Sequence, residues 1–130
     1  KLLNGIEAEE VIGFNTLTLA GYAPLSEWVF FHDRSRTLII TDLAFHVDRT
    51  SSQSAQLAFK LLGGYQQLRP SWLEKLATRD KERVQRSIQR ILAWDFERVI
   101  LAHGSIVEQE GKRQLQQGYE WFLDRSLLPE

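Results

Sequence analysis

Trp28-Val29-Phe30-Phe31-His32, then Asp33-Arg34-Ser35-Arg36, then Thr37-Leu38-Ile39-Ile40-Thr41 is the stretch on which the fold turns. Two short apolar runs flank a polar turn, which is the pattern of an antiparallel hairpin. Both runs are apolar on both faces, so the hairpin is expected inside a covered sheet, with Asp42 emerging where its second strand ends.

Working outward, the first ten residues are polar and acidic. Phe14 to Ala20 alternates Thr16 and Thr18 with Leu17 and Leu19, the period of a strand, and Gly21-Tyr22-Ala23-Pro24 breaks it. Beyond Asp42 the period changes. Ser51 and Ser52 are N-cap candidates for a helix carrying Ala55, Leu57, Ala58, Leu61 and Leu62, which Gly63-Gly64 would end. Pro70 suits the first turn of a short helix through Leu76. Thr78 or Asp80 can cap a helix whose Val84, Ile88, Ile91 and Leu92 form one buried stripe. Arg98 to Ala102 reads as a short buried strand ending at His103-Gly104, and Gly111 to Leu123 as a last helix with Leu115, Tyr119, Phe122 and Leu123 facing inward. Strands, then helices, then a strand and a helix indicate an α/β or α+β layered fold, with residues 1–130 as a single domain.

Composition narrows the functional classes. The 130 residues carry 16 Lys+Arg against 17 Asp+Glu, a net charge of −1, so no long-range field favours a polyanion and no nucleic-acid partner is expected. With no cysteine there is no disulfide framework, thiolate metal site or cysteine nucleophile. No apolar run is long enough to span a bilayer and the N-terminal segment does not read as a signal peptide, so a membrane is not expected and the cytoplasm is the default compartment.

Asp42 and His103 each follow a buried strand, where ligands and metals collect at the mouth of a sheet. Singly, each has a plain explanation: an Asp capping a turn, a His sitting in one. Together, Thr37-Leu-Ile-Ile-Thr-Asp-Leu-Ala-Phe45 and Arg98-Val-Ile-Leu-Ala-His-Gly104 resemble the second half of the metallo-β-lactamase superfamily. The stretch from about Trp28 to Leu123 is similar to a glyoxalase- and hydrolase-related branch of it, described as a domain of unknown function. The resemblance implies the C-terminal half of an αββα sandwich, a mixed sheet with flanking helices. It also implies a bridging metal carboxylate at Asp42, a terminal metal imidazole at His103, and zinc or another divalent transition metal as cofactor. The activity it implies is metal-dependent hydrolysis of a small-molecule substrate.

The chain departs from that pattern in two places. It has no H-x-H-x-D-H string, its histidines being His32, His46 and His103, and it reads Gly21-Tyr22-Ala23-Pro24 where the family has Gly-His-x-Pro, so Tyr22 stands in a ligand position. A phenol, with an ordinary pKa of about 10, is a poor zinc ligand near neutral pH. A degenerate scaffold that binds a small molecule or a protein without catalysis is therefore the alternative. The absent loop and the opening at Lys1 suggest a missing N-terminal half; without it, the hairpin would need cover, most simply from a second copy of the chain.

The remaining signals have plainer readings. His46-Val47-Asp48 comes after the Asp-bearing strand, the wrong order for the missing loop, and is read mainly as a loop element, with His46 kept as a pocket candidate. His32 is assigned to hydrogen bonding in the turn, and Arg79, Arg83, Arg86 and Arg90 to the wet face of a helix. The tryptophans at 28, 72, 94 and 121 are assigned to core packing. Ser105 invites a serine-hydrolase reading for which no base can be identified from spacing.

Overall fold

A computed structural model describes residues 5–13, 15–18, 21–24, 27–41, 43–62, 66–102 and 104–127. In chain order the strands and helices are β1 (Ile6–Val11), β2 (Asn15–Thr18), β3 (Gly21–Pro24), β4 (Glu27–His32), β5 (Thr37–Ile40), α1 (Gln53–Leu62), α2 (Trp72–Ala77), α3 (Lys81–Leu92), β6 (Arg98–Leu101) and α4 (Gly111–Leu123). They make an α+β fold around a mixed four-stranded sheet of order β1-β4-β5-β6, with β2 and β3 forming a separate ribbon.

The hairpin forms as its sequence implies, with Phe30 opposite Ile39 and Phe31 opposite Leu38. β6 then joins β5 in parallel, Leu38 beside Val99 and Ile40 beside Leu101. A parallel neighbour needs a long crossover, here supplied by α1, α2 and α3. β1 is the strand that periodicity missed: Ile6-Glu-Ala-Glu-Glu-Val looks like a solvated acidic run until it pairs antiparallel with β4. Its glutamates suit an edge strand, where charge discourages pairing with other chains. Of the strand expected over residues 14–20, Asn15–Thr18 forms β2 while residues 14, 19 and 20 lie outside the described residues, and Gly21–Pro24, expected to break it, is its partner strand.

The sheet has two unlike faces. Val29, Phe31, Leu38, Ile40, Val99 and Leu101 face a core completed by Val84, Ile88 and Ile91 of α3 and Leu115, Tyr119 and Phe122 of α4. Each such apolar side chain contributes about 1.5–3 kcal/mol by leaving water. The opposite face carries the in-register row Ala8, Phe30, Ile39 and Ile100. Trp28 shares that face and is 50% exposed, and Ile39 and Ile100 are each 37% exposed. The expectation of a sheet covered on both faces is thus corrected: alternation along β4 buries every second residue and leaves the other face open to solvent.

The helices form close to their expected places. Ser52 Oγ accepts the Ala55 N–H at the start of α1, but Leu57 and Leu61 are exposed, so these two positions of the expected apolar stripe are not buried. Ser71, not Pro70, opens α2 through a capping box with Glu74, and Asp80 caps α3. Trp94 stacks on Phe31 at 5.5 Å and Trp121 packs against the core, whereas Trp28 does not. No helix among the described residues is long and apolar enough to cross a membrane.

Candidate functional site

Parallel strands β5 and β6 end together at the Ile40–Leu101 pair, and in the sequence Asp42 and His103 each follow two residues later. Both residues lie outside the described residues, and of Tyr22 only the strand that carries it is described.

Before position 42, Thr41 is held by Glu27. The Thr41 N–H donates to Oε1 at 2.9 Å and its hydroxyl to Oε2 at 2.6 Å. Glu27 is buried at the start of β4, so its carboxylate closes the open end of the hairpin. After position 42, the Leu43 carbonyl accepts a hydrogen bond from the Tyr119 hydroxyl on α4. Burial, with the carboxylates of Glu27 and Glu74 nearby, pushes this phenol well above its ordinary pKa and keeps it a donor.

Segment 45–47 continues as a strip between two partners. Phe45 exchanges backbone hydrogen bonds with Arg69 on one side, and His46 bridges in parallel to Gly104 on the other. Gly104 adopts φ +134°, and a Cβ there would lie 2.3 Å from the His46 carbonyl oxygen. Only glycine allows this approach directly after position 103.

Around that contact a polar clamp joins the two loops. Asp48 Oδ1 accepts from the Thr50 hydroxyl at 2.6 Å, the Thr50 N–H at 2.9 Å and the Ser105 hydroxyl at 2.9 Å. The Thr50 hydroxyl and amide, with lesser help from the Ser105 hydroxyl and nearby His46, hold the Asp48 carboxyl below its usual range against the opposing effect of burial. His46 Nδ1 lies 3.0 Å from the Ser105 carbonyl oxygen. A carbonyl only accepts, so Nδ1 carries the hydrogen and, in the neutral ring, Nε2 carries the lone pair. Ser105 therefore donates to a carboxylate and meets the imidazole only through its own carbonyl. That arrangement knits loops together and does not pair a nucleophile with a base.

Among the described residues no three of His, Asp and Glu converge closely enough to hold a metal ion. His46 and Asp48 hold their loops together and by themselves do not fit a metal. His32 Nδ1 meets the Ser35 hydroxyl at 2.7 Å, the turn role expected of it. The arginine stripe is partly neutralised, Arg83 by Asp80 and Arg90 by Glu9, as a solvated helix face would be. Sequence reasoning missed Glu27, whose one available signal was a carboxylate flush against an apolar run. It placed Tyr119 only as an inward-facing residue. Neither protein-family models nor curated proteins match this chain.

Proposed function

We propose that the chain is the C-terminal half of a metallo-β-lactamase-like domain that takes part in metal-dependent hydrolysis of a small-molecule substrate, with Asp42 and His103 as metal ligands. The observation that carries this reading is the common end of the two parallel strands, Ile40 beside Leu101, each followed two residues later by a residue type that ligates metals. The unlike faces of the sheet support it: helices cover one, and the other presents the apolar row that the second sheet of a sandwich would bury.

A bound divalent metal would supply Lewis acidity and water activation at that mouth. The protein's own contribution is rigidity. Glu27 and Tyr119 hold the neighbours of Asp42, while Gly104, Ser105 and Asp48 hold the chain after His103. Such supporting contacts matter because a ligand displaced by an ångström loses much of its affinity.

Tyr22 in a ligand position and the absence of an H-x-H-x-D-H string favour a second reading, a non-catalytic scaffold of the same fold. One experiment separates the two. The full-length protein is loaded with zinc, iron or manganese, desalted and assayed for metal. The hydrolase reading expects stoichiometric metal, with retention weakened at least ~10-fold by Asp42→Ala and by His103→Ala. No retained metal after any loading, or retention by Asp42→Ala equal to wild type, overturns it and leaves the scaffold.

A further inference from the structure

We infer that the cleft between residues 66–69 and α4 binds a small molecule bearing an oxyanion, a carboxylate or a phosphate, with Arg69 as its anchor. The inference stands apart from the hydrolase reading, because none of its residues is a proposed metal ligand.

The cleft has a volume of about 370 Å³ and is lined by Gln66, Arg69, Gln114, Gln117, Gly118 and Trp121 among others. That is large enough for a metabolite-sized ligand. One wall is a single stripe of α4, positions 114, 117, 118 and 121, spaced at i, i+3, i+4 and i+7. Gly118 sets how closely the other wall approaches: a Cβ there would lie 2.2 Å from the Leu68 carbonyl oxygen and 2.7 Å from the Arg69 Cβ. A glycine in a helix interior is costly relative to alanine, and here it permits the contact that forms the base of the cleft.

Arg69 is held in place, and among the described residues it lacks a counter-charge. Its backbone exchanges two hydrogen bonds with Phe45, and its guanidinium carbon sits 3.9 Å from the centre of the Trp121 ring. Its Nε is buried without a hydrogen-bond partner, and no carboxylate among the described residues forms an ion pair with it. Lys75 also lies over Trp121, at 4.9 Å, but is paired with Asp124 at 3.0 Å. Lys75 is thus neutralised by a carboxylate, and Arg69 is paired with none among the described residues. Desolvation lowers the Arg69 pKa, as it does for a cation without a compensating anion.

The rest of the lining suits the missing partner. Its described lining contains no acidic residue that would repel an anion, and its glutamine amides can both donate to and accept from the neutral part of a ligand. A planar guanidinium matches the paired oxygens of a carboxylate or phosphate.

The experiment follows backbone, indole and side-chain amide signals by ¹H–¹⁵N NMR while inorganic phosphate or succinate is added, with sodium chloride holding ionic strength constant. The expected result is a saturable shift, for at least one anion, of the Trp121 indole and the Gln114 and Gln117 side-chain amides. Apparent affinity should fall at least ~10-fold in Arg69→Gln. The stronger responder distinguishes phosphate from carboxylate. Gln117→Glu places a competing carboxylate in the cleft with Arg69 intact, and is expected to raise the melting temperature and abolish the shift. No saturable shift with either anion, or a shift unchanged in both variants, overturns the site.

Discussion

Glu27 and Thr41 are joined by two hydrogen bonds, the Thr41 amide and hydroxyl each donating to a different oxygen of the buried carboxylate. One residue begins β4 and the other leaves β5, so the contact ties the hairpin at the end opposite its turn, where the chain runs on to Asp42.

Removing that carboxylate leaves a partly buried amide without its acceptor. Glu27→Ala is expected to lower stability by about 1–3 kcal/mol in urea unfolding. Glu27→Gln keeps one acceptor oxygen and can donate to the Thr41 hydroxyl, so it should cost less. Equal stability of Glu27→Ala and wild type would show that the contact contributes nothing.

At Gly104 a methyl group would meet the backbone of His46 at a backbone angle that side chains rarely adopt. Gly104→Ala should therefore cost about 1–3 kcal/mol. The loss should be accompanied by changed amide shifts at His46 and Ser105, whereas alanine at the exposed loop residue Gln109 should cost less than about 0.5 kcal/mol.

The Asp48 clamp makes a pH prediction. Folding lowers this carboxyl's pKa, chiefly through the Thr50 hydroxyl, so between the folded and unfolded values the unfolded chain binds more protons. The clamp's contribution is complete above the ordinary Asp value of about 3.9 and is lost as pH falls through the folded value. Thermal melts taken between pH 6 and pH 3, as ~1-unit steps around that value, should show a shallower acid decline in Asp48→Asn. An unchanged slope would contradict the clamp.

The two faces of β4 should respond oppositely to truncation. Val29 is fully buried and Trp28 is half exposed on the open face. Val29→Ala is expected to destabilise by about 2 kcal/mol, and Trp28→Ala by less than about 1 kcal/mol despite removing the larger side chain. Equal losses would mean that the open face is covered in solution.

What could be read along the chain was what local periodicity encodes. The stripe of Val84, Ile88 and Ile91 specifies α3 because those positions share one side of any helix built from them. Leu115, Tyr119, Phe122 and Leu123 mark the buried side of α4 for the same reason. The hairpin was legible because a polar turn between two apolar runs has few other solutions. β1 and β3 were not: an acidic segment and a Gly-Tyr-Ala-Pro segment become strands only when their backbone groups find partners in β4 and β2.

The candidate site divides along the same line. By itself the sequence determined which residue types follow the two strands, Asp42 and His103, and that neither a cysteine nor the histidine loop accompanies them. Only the tertiary structure decided that β5 and β6 are parallel neighbours ending together, that Tyr119 reaches Leu43 across 76 residues, and that Arg69 rests on Trp121 with its Nε buried and unpartnered. Residue type and period are properties of a short window of chain. The partner a polar group finds in the interior depends on which distant segments pack beside it, and no local window contains that information.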